Sequence, residues 1–206
     1  YYASEYKWKF EKAGELPLIV IREYLPAICA YSYIEVEHGD YISRDEHGII
    51  TAFSQEDLEE FYDKVKEFGA RVEMHTVLPD DPDGITAAIK DMLTAGMEAV
   101  FCTGGMSVDP DDRTPLAIKN TGNRIGSYGA PVLPGAMFLL SYTTDARPVV
   151  GLPGCVMYAK RTIFDLALPY LMSGTELDAV TLARMGEGGL CLDCPVCTFP
   201  NCGFGK

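Results

Sequence analysis

The sequence predicts an α/β fold whose mainly parallel sheet is covered by helices on both faces, and two features of its pattern lead there. From residue 54 onward, stretches of helical periodicity alternate with short apolar runs. Those runs end in Gly- and Pro-rich loops such as TGGMSVDPDDRTP and GLPGC. In such sheets ligands bind at the carboxyl ends of the strands, so these two loops are expected to meet.

The elements follow in order. Ser54-Gln55-Glu56-Asp57 offers an N-cap and an acidic first turn, Leu58, Phe61, Val65 and Phe68 recur at helical spacing, and Gly69 closes the helix. Residues 72–78 alternate as a strand, and LPDDPDGI leads into a helix through Ile85, Ala88, Ile89, Met92 and Leu93, ending at Gly96. The apolar run 98–102 is a short buried strand. Thr114-Pro115 is expected as N-cap and first residue of the next helix, because Pro loses nothing where the amide has no helical partner. After a turn at Tyr128-Gly129, VLPGAMFLLSYTT reads as a loop and a strand, a turn at Asp145-Ala146 leads to the strand in RPVVGLPG, and 156–172 is the final apolar-faced helix.

Ahead of this lies a different region. PLIVI, ICAYSYIEVE and YISRDEHGII are rich in aromatic and β-branched residues, and Pro and the turn-like His38-Gly39-Asp40 and His47-Gly48 separate them. The expected organisation is a β-rich segment at 1–48, an α/β domain at 49–174 and a Cys-bearing tail at 175–206.

The 206 residues suffice for a core without disulfide staples. A net charge of −13 and a pI near 4.6 argue against nucleic acid and anionic membrane as partners, since both select for excess Lys and Arg. The charge is uneven: 19 acidic and 9 basic side chains lie in 1–90, but 7 and 6 in 91–170. An anionic small molecule is repelled least by the second region. No apolar run is long enough to cross a membrane, and the first residues lack the order of a signal peptide, which predicts a cytoplasmic protein.

Three cysteines, Cys29, Cys102 and Cys155, are scattered and read as small buried apolar side chains. The other four form Cys191-x2-Cys194-x2-Cys197-x4-Cys202. Four thiolates on one Gly- and Pro-turned segment suit tetrahedral Zn2+ or an iron–sulfur cluster, and spacing does not choose between them.

The TGGMSVDPDDRTP loop holds the other chemistry. Thr103-Gly104-Gly105 permits a sharp turn whose free amides can converge on a phosphate, Ser107 adds a hydroxyl donor, and Thr114 can cap the following helix toward the same anion. Asp109, Asp111 and Asp112 form either a solvated acidic loop or a Mg2+ site, with Asp80 and Asp81 able to face the same crevice. By itself TGG is a generic signature.

In combination these pieces are specific. TGGMSVDPDDRTP, LPDDPDGI, the Pro134-Gly135 loop of VLPGAMF and the Leu152-Pro153-Gly154 loop of GLPGCVMYA resemble, in order and spacing, the molybdopterin-binding domain of molybdopterin adenylyltransferases and molybdotransferases, over about residues 70–172. The resemblance implies a three-layer α/β/α domain that binds the pterin dithiolene and its terminal phosphate. Thr103, Gly104, Gly105, Ser107 and Thr114 would line the phosphate site, with Asp112 the essential acid and Asp80 the second acidic position. Pro134, Gly135, Leu152, Pro153 and Gly154 would shape the opposite wall. The Met-Ser-Val form of the loop is closer to the molybdotransferase branch.

The implied function lies in molybdenum or tungsten cofactor biosynthesis, by metal insertion or cofactor handling. Mg2+, ATP or molybdate, self-association and a recipient molybdoenzyme go with it. A non-catalytic carrier or sensor, and a redox or metal-binding protein centred on the Cys tail, are the alternatives. One departure bears on catalysis. Family members open with a strand and a Thr-Gly-x-Glu loop, whereas Gly48-Ile49-Ile50-Thr51 runs directly into Ala52-Phe53-Ser54.

Overall fold

A computed structural model describes residues 10–12, 19–25, 30–36, 41–44, 50–53, 55–76, 78, 80–106, 112–157 and 159–206, with side-chain surroundings from residue 61 on. The chain divides into two compact units, 1–60 and 61–206. The turns expected at 38–40 and 47–48, the Ser54 cap and Cys29 lie outside the described residues.

In the first unit, β1 (Phe10–Lys12), β2 (Ile19–Leu25) and β3 (Ala30–Val36) form an antiparallel sheet in that order, with Ile21 opposite both Phe10 and Ile34. β4 (Tyr41–Arg44) and β5 (Ile50–Phe53) make an antiparallel pair. Helix α1 (Gln55–Lys66) follows, and the division between the units falls within it.

The second unit is an α/β arrangement. Its helices are the end of α1, α2 (Pro82–Thr94), α3 (Thr114–Asn120), α4 (Ile163–Met172) and α5 (Ala179–Arg184). Its strands are β6 (Val100–Thr103), β7 (Arg124–Tyr128), β8 (Leu139–Tyr142) and β9 (Pro148–Leu152), in the sheet order β6-β9-β8-β7. No helix among the described residues is long and apolar enough to cross a membrane.

The mainly parallel sheet expected from the alternation is replaced, in these four strands, by a mixed one. β6 and β9 are parallel, while β9–β8 and β8–β7 are antiparallel. The connections explain this. A parallel crossover needs a dozen or more residues, whereas only 143–147 join β8 to β9. That turn closes with the Thr143 amide donating to the Arg147 carbonyl at 2.9 Å.

Two other expectations shift. Residues 71–76 and 78 form no strand, and Val72 and Met74, on the face that alternation would bury, are 40% and 44% exposed. The final helix starts at Ile163 rather than near 156, because Thr162 stops it with a capping box. The Phe164 amide donates to Thr162 Oγ1 at 3.1 Å, and the Thr162 amide donates to Asp165 Oδ2 at 2.8 Å. Residues Gly154–Met157 make a separate 3-10 turn. Strand β7, which the sequence pattern did not announce, pairs with β8 through a register shift between Ile125 and Ser127.

Strands β8 and β9 are buried at every residue, so both of their faces are covered. On β6 the period-2 alternation separates the two sides. Val100 packs with Met106, Ile89 of α2, Ile118 of α3, Leu139 and Val149, with Cys102 against the same cluster. Helices α2 and α3 are tied together by Thr86 Oγ1 donating to the Ala117 carbonyl at 3.0 Å. Phe101 instead meets Phe164 of α4 edge-on at 5.5 Å, and Phe164 stacks on Phe61 of α1 at 5.1 Å. Burial pushes the Cys102 thiol up to about 12, in accord with its reading as an inert apolar side chain.

Phe164 is fully buried within this aromatic group. Truncation to Ala is expected to remove about 3–5 kcal/mol of unfolding free energy. Urea denaturation measures it, and a loss below about 1 kcal/mol would show that the ring is not a core contact.

Candidate functional site

The parallel pairing fixes where the two glycine loops start. Thr103, the last residue of β6, lies opposite Leu152, the last of β9, so 103–106 and 152–154 leave the sheet side by side at the same strand end. This is the carboxyl edge at which such sheets bind ligands.

The first loop turns at two positive-φ glycines, Gly104 at +86° and Gly105 at +57°. Side chains rarely adopt these angles, which accounts for the Gly pair. The positions differ in their surroundings. A Cβ at Gly104 would meet nothing within 4 Å, whereas one at Gly105 would lie 2.9 Å from Thr114 Oγ1 and 3.2 Å from Asp80 Oδ1. Asp80, Gly105 and Thr114, from three separate stretches of sequence, therefore converge.

Thr114 differs from the cap expected of it. The N-cap of α3 is Arg113, which makes no side-chain cap bond, and Thr114 is already helical. Its hydroxyl donates to the Gly104 carbonyl at 2.8 Å and so ties the turn to the helix. Of the paired acids, Asp81 is structural, its carboxylate capping α2 by accepting from the Gly84 amide at 2.7 Å. Asp80 is the one beside the turn.

Past Gly105 the chain returns inward. Met106 is buried, and its sulfur occupies the space that a side chain on Gly151 of β9 would need. Ser107, Asp109 and Asp111 lie outside the described residues. Asp112 is half-buried. It stands close enough to Tyr128, at the end of β7, for its charge to add to burial in pushing that phenol up. Tyr128 was not singled out from sequence, where it reads only as a turn residue.

Pro134 and Gly135 are held from another direction. The Ile163 amide donates to the Pro134 carbonyl at 3.1 Å, and Gly135, at φ +118°, packs so tightly on Ile163 that no side chain fits. Their described contacts run to α4 rather than to the 103–106 turn. Gly154, in contrast, has open space where a side chain would be. Burial raises the Cys155 thiol next to it.

The tail folds back onto the Pro134 loop. The Leu133 amide donates to the Gly189 carbonyl at 2.6 Å, and the Cys191 amide donates to the Leu133 carbonyl at 2.8 Å. Cys191, Cys194, Cys197 and Cys202 all line one cavity of about 740 Å³, together with Lys160 and Arg161. A hydrogen bond from the Phe199 amide and another from the Arg161 guanidinium hold the Cys197 thiol below its ordinary range. Among the described residues, no three His, Cys, Asp or Glu side chains gather closely enough to hold one metal ion. The four thiols thus line one cavity, but the metal-holding group that their spacing suggested, for an ion or a cluster, is not formed among the described residues. Lys160 and Arg161 were also missed from sequence, although their adjacency just after GLPGC was a visible signal.

The 103–106 turn can be tested by a pair of substitutions. Gly104→Ala should cost on the order of 1 kcal/mol from its backbone angle alone, and Gly105→Ala clearly more, because its methyl also meets Thr114 and Asp80. Urea unfolding of both variants compares them; equal losses would contradict the convergence.

Comparison with known proteins gives the family. Residues 58–173 match the family described as "Probable molybdopterin binding domain". The chain is 42% identical over 55 residues to a CinA-like protein of Citrifermentans bemidjiense, covering 27% of this chain and 13% of that one. It is 47% identical over 49 residues to a CinA-like protein of Geobacter sp. (strain M21), covering 24% and 12%. The chain therefore spans only about an eighth of the length of these curated relatives. The family match extends over more than half of the chain and contains the 103–106 turn, Asp80, Asp112, Thr114 and both Pro-Gly loops. The chain belongs to the molybdopterin-binding domain family.

Proposed function

We propose that the protein binds molybdopterin at the carboxyl edge of β6 and β9 and acts in molybdenum or tungsten cofactor biosynthesis, inserting metal or handling the cofactor. The observation that supports this most directly is the convergence of Asp80, Gly105 and Thr114 on the turn opposite Leu152. A terminal phosphate suits that turn. The backbone at Gly104 has open space where a side chain would be, so a ligand can approach closely. Thr103, Gly104, Gly105, Ser107 and Thr114 would offer amides and hydroxyls, each charge-assisted bond contributing about 1.5–3 kcal/mol.

The acids define what else the site needs. A carboxylate at Asp80 beside the turn repels a phosphate unless a cation stands between them, and Mg2+ takes one or two carboxylates together with phosphate oxygens. Asp80 and Asp112 would supply those carboxylates. When bound, Mg2+ would neutralise phosphate charge and polarise a phosphoryl oxygen. The chain's own contribution is to orient the phosphate against the glycine turn and set Asp112 near the reacting group, with Pro134, Gly135, Leu152, Pro153 and Gly154 shaping the pterin wall. ATP or molybdate would be the second substrate, and a cytoplasmic molybdoenzyme the recipient. A three-layer arrangement, with α2 and α3 on one face of the sheet and α1 and α4 on the other, is the fold that goes with this reading. The alternation of Val100 and Phe101 supports it. Self-association and a metal-holding role for the tail cysteines complete it.

Asp112→Ala tests the assignment. With molybdopterin, ATP, Mg2+ and molybdate supplied, the wild-type chain should form an adenylate or a metal-loaded pterin. The variant should lose about 100-fold or more of that turnover while its thermal midpoint stays unchanged. Undiminished turnover in the variant would overturn the role of Asp112. Tight binding of molybdopterin without conversion by the wild type would make the protein a carrier or sensor.

A further inference from the structure

We infer that Tyr128 is the ring-binding residue at the carboxyl edge of the sheet: the planar heterocycle of a pterin phosphate stacks on its side chain while the phosphate lies in the 103–105 turn. The inference rests on the reading of that turn as a phosphate cradle and adds a second subsite to it.

Strand register brings Tyr128 to this edge. Cys102 of β6 lies opposite Gly151 of β9, Gly151 opposite Leu139 of β8, and Leu139 opposite Tyr128 of β7, so the four residues form one row across the sheet. The row lies one residue short of Thr103 and Leu152, where the two glycine loops leave. Because β8 runs antiparallel to both of its neighbours, the last residue of β7 falls at the same edge as the last residues of β6 and β9. From Cys102 to Tyr128 the row crosses three strand spacings, about 14 Å.

Register also sets the face. Side chains directly opposite each other in a ladder stand on the same side of the sheet. Leu139 packs with Met106 and Ile118 in the cluster under α2 and α3, and a side chain at Gly151 would meet the same two residues. Tyr128 therefore stands on the α2–α3 side, where Met106 is buried just after the glycine turn. Asp112 comes near enough for its charge to act on the Tyr128 phenol. Two residues on, Thr114 bonds the Gly104 carbonyl. A short path thus links the turn to the ring.

Tyr128 is the open member of this row. It is 50% exposed, whereas Leu139 and Gly151 are buried and Cys102 is half-buried. Its backbone is held, since Ser127 Oγ donates to the Gly129 carbonyl at 2.9 Å and the Gly129 amide donates to the Phe138 carbonyl at 2.8 Å. An aromatic side chain on a fixed strand end offers a planar ring a large apolar surface at small entropic cost. Burial first, and the Asp112 charge second, push the phenol up, so it stays neutral and adds no repulsion toward an anionic ligand. A pterin phosphate has both parts that this edge offers to bind. Its phosphate joins a rigid fused ring through a short linker, so an anchored phosphate leaves the ring to extend along the edge toward β7. An adenine nucleotide also pairs a planar ring with phosphate, and the experiment separates the two.

Fluorescence titration tests the subsite with an oxidised pterin carrying one phosphate ester, with inorganic phosphate as competitor and AMP as the alternative ligand. The wild-type chain should bind the pterin phosphate and quench its emission as the rings stack. Tyr128→Leu should bind it about 10-fold or more weakly, while inorganic phosphate competes equally well in both proteins and so reports an intact, folded turn. Tyr128→Phe keeps the ring and should restore both affinity and quenching. Equal affinity of Tyr128→Leu and wild type for the pterin phosphate would overturn the subsite alone. So would a loss confined to AMP, a loss of inorganic phosphate in step with the pterin, or a Tyr128→Phe variant as weak as Tyr128→Leu, which would assign the effect to the hydroxyl. A wild-type chain that binds no pterin phosphate would overturn the pterin reading itself, and the subsite with it.

Discussion

The parallel pairing of β6 with β9 is the constraint on which the rest of the site depends. It sets Thr103 opposite Leu152, and so brings together two loops that lie about 50 residues apart in sequence. The pairing is held from both sides. β9 is wholly buried, Val100 lies in the cluster formed with α2 and α3, and Phe101 lies among the aromatics of α1 and α4. Met106 then anchors the first loop from beyond its turn, in a space that exists only because residue 151 is glycine. Between a fixed strand end and a fixed methionine, Gly104 and Gly105 have little freedom left, and their backbone angles follow from that confinement.

Much of this was legible in the sequence because local chemistry announces it. The glycine pair, the Asp-Pro entry to α2, the Leu152-Pro153-Gly154 exit from β9 and the acid beside the turn are written in residue types that tolerate few alternatives. What escaped was set by tertiary context. Whether adjacent strands run parallel depends on connection length, and the short 143–147 turn overrode the alternation of helices and strands. Residues 72–78 had a strand-like pattern, but alternation alone does not make a strand, and Val72 and Met74 stand exposed. Thr114 has the composition of a cap, yet Arg113 takes that position and the hydroxyl bonds back to Gly104. Tyr128 and the Lys160-Arg161 pair acquire meaning only from what the fold sets beside them.

The tail and the proposed pterin edge share a structural element. The Leu133-Pro134-Gly135 loop is bonded to the tail through Leu133 and to the start of α4 through Pro134. The segment leaving the Gly154 turn runs on through Lys160 and Arg161 into the cysteine cavity. Both loops of the wall that the family resemblance implies thus adjoin residues that line the cavity around the thiols. This gives the appended tail a physical relation to the α/β site, in place of a mere attachment at its end.

The central claim is that the turn at 103–105 is the phosphate cradle. The most direct measurement is a crystal structure of the protein with molybdopterin bound. The account predicts the terminal phosphate within hydrogen-bond distance of the Gly104 and Gly105 amides, beside Thr114 and with a cation between it and Asp80. A pterin found with its phosphate against the Pro134 loop or in the cysteine cavity, and the 103–105 turn left in water, would contradict it.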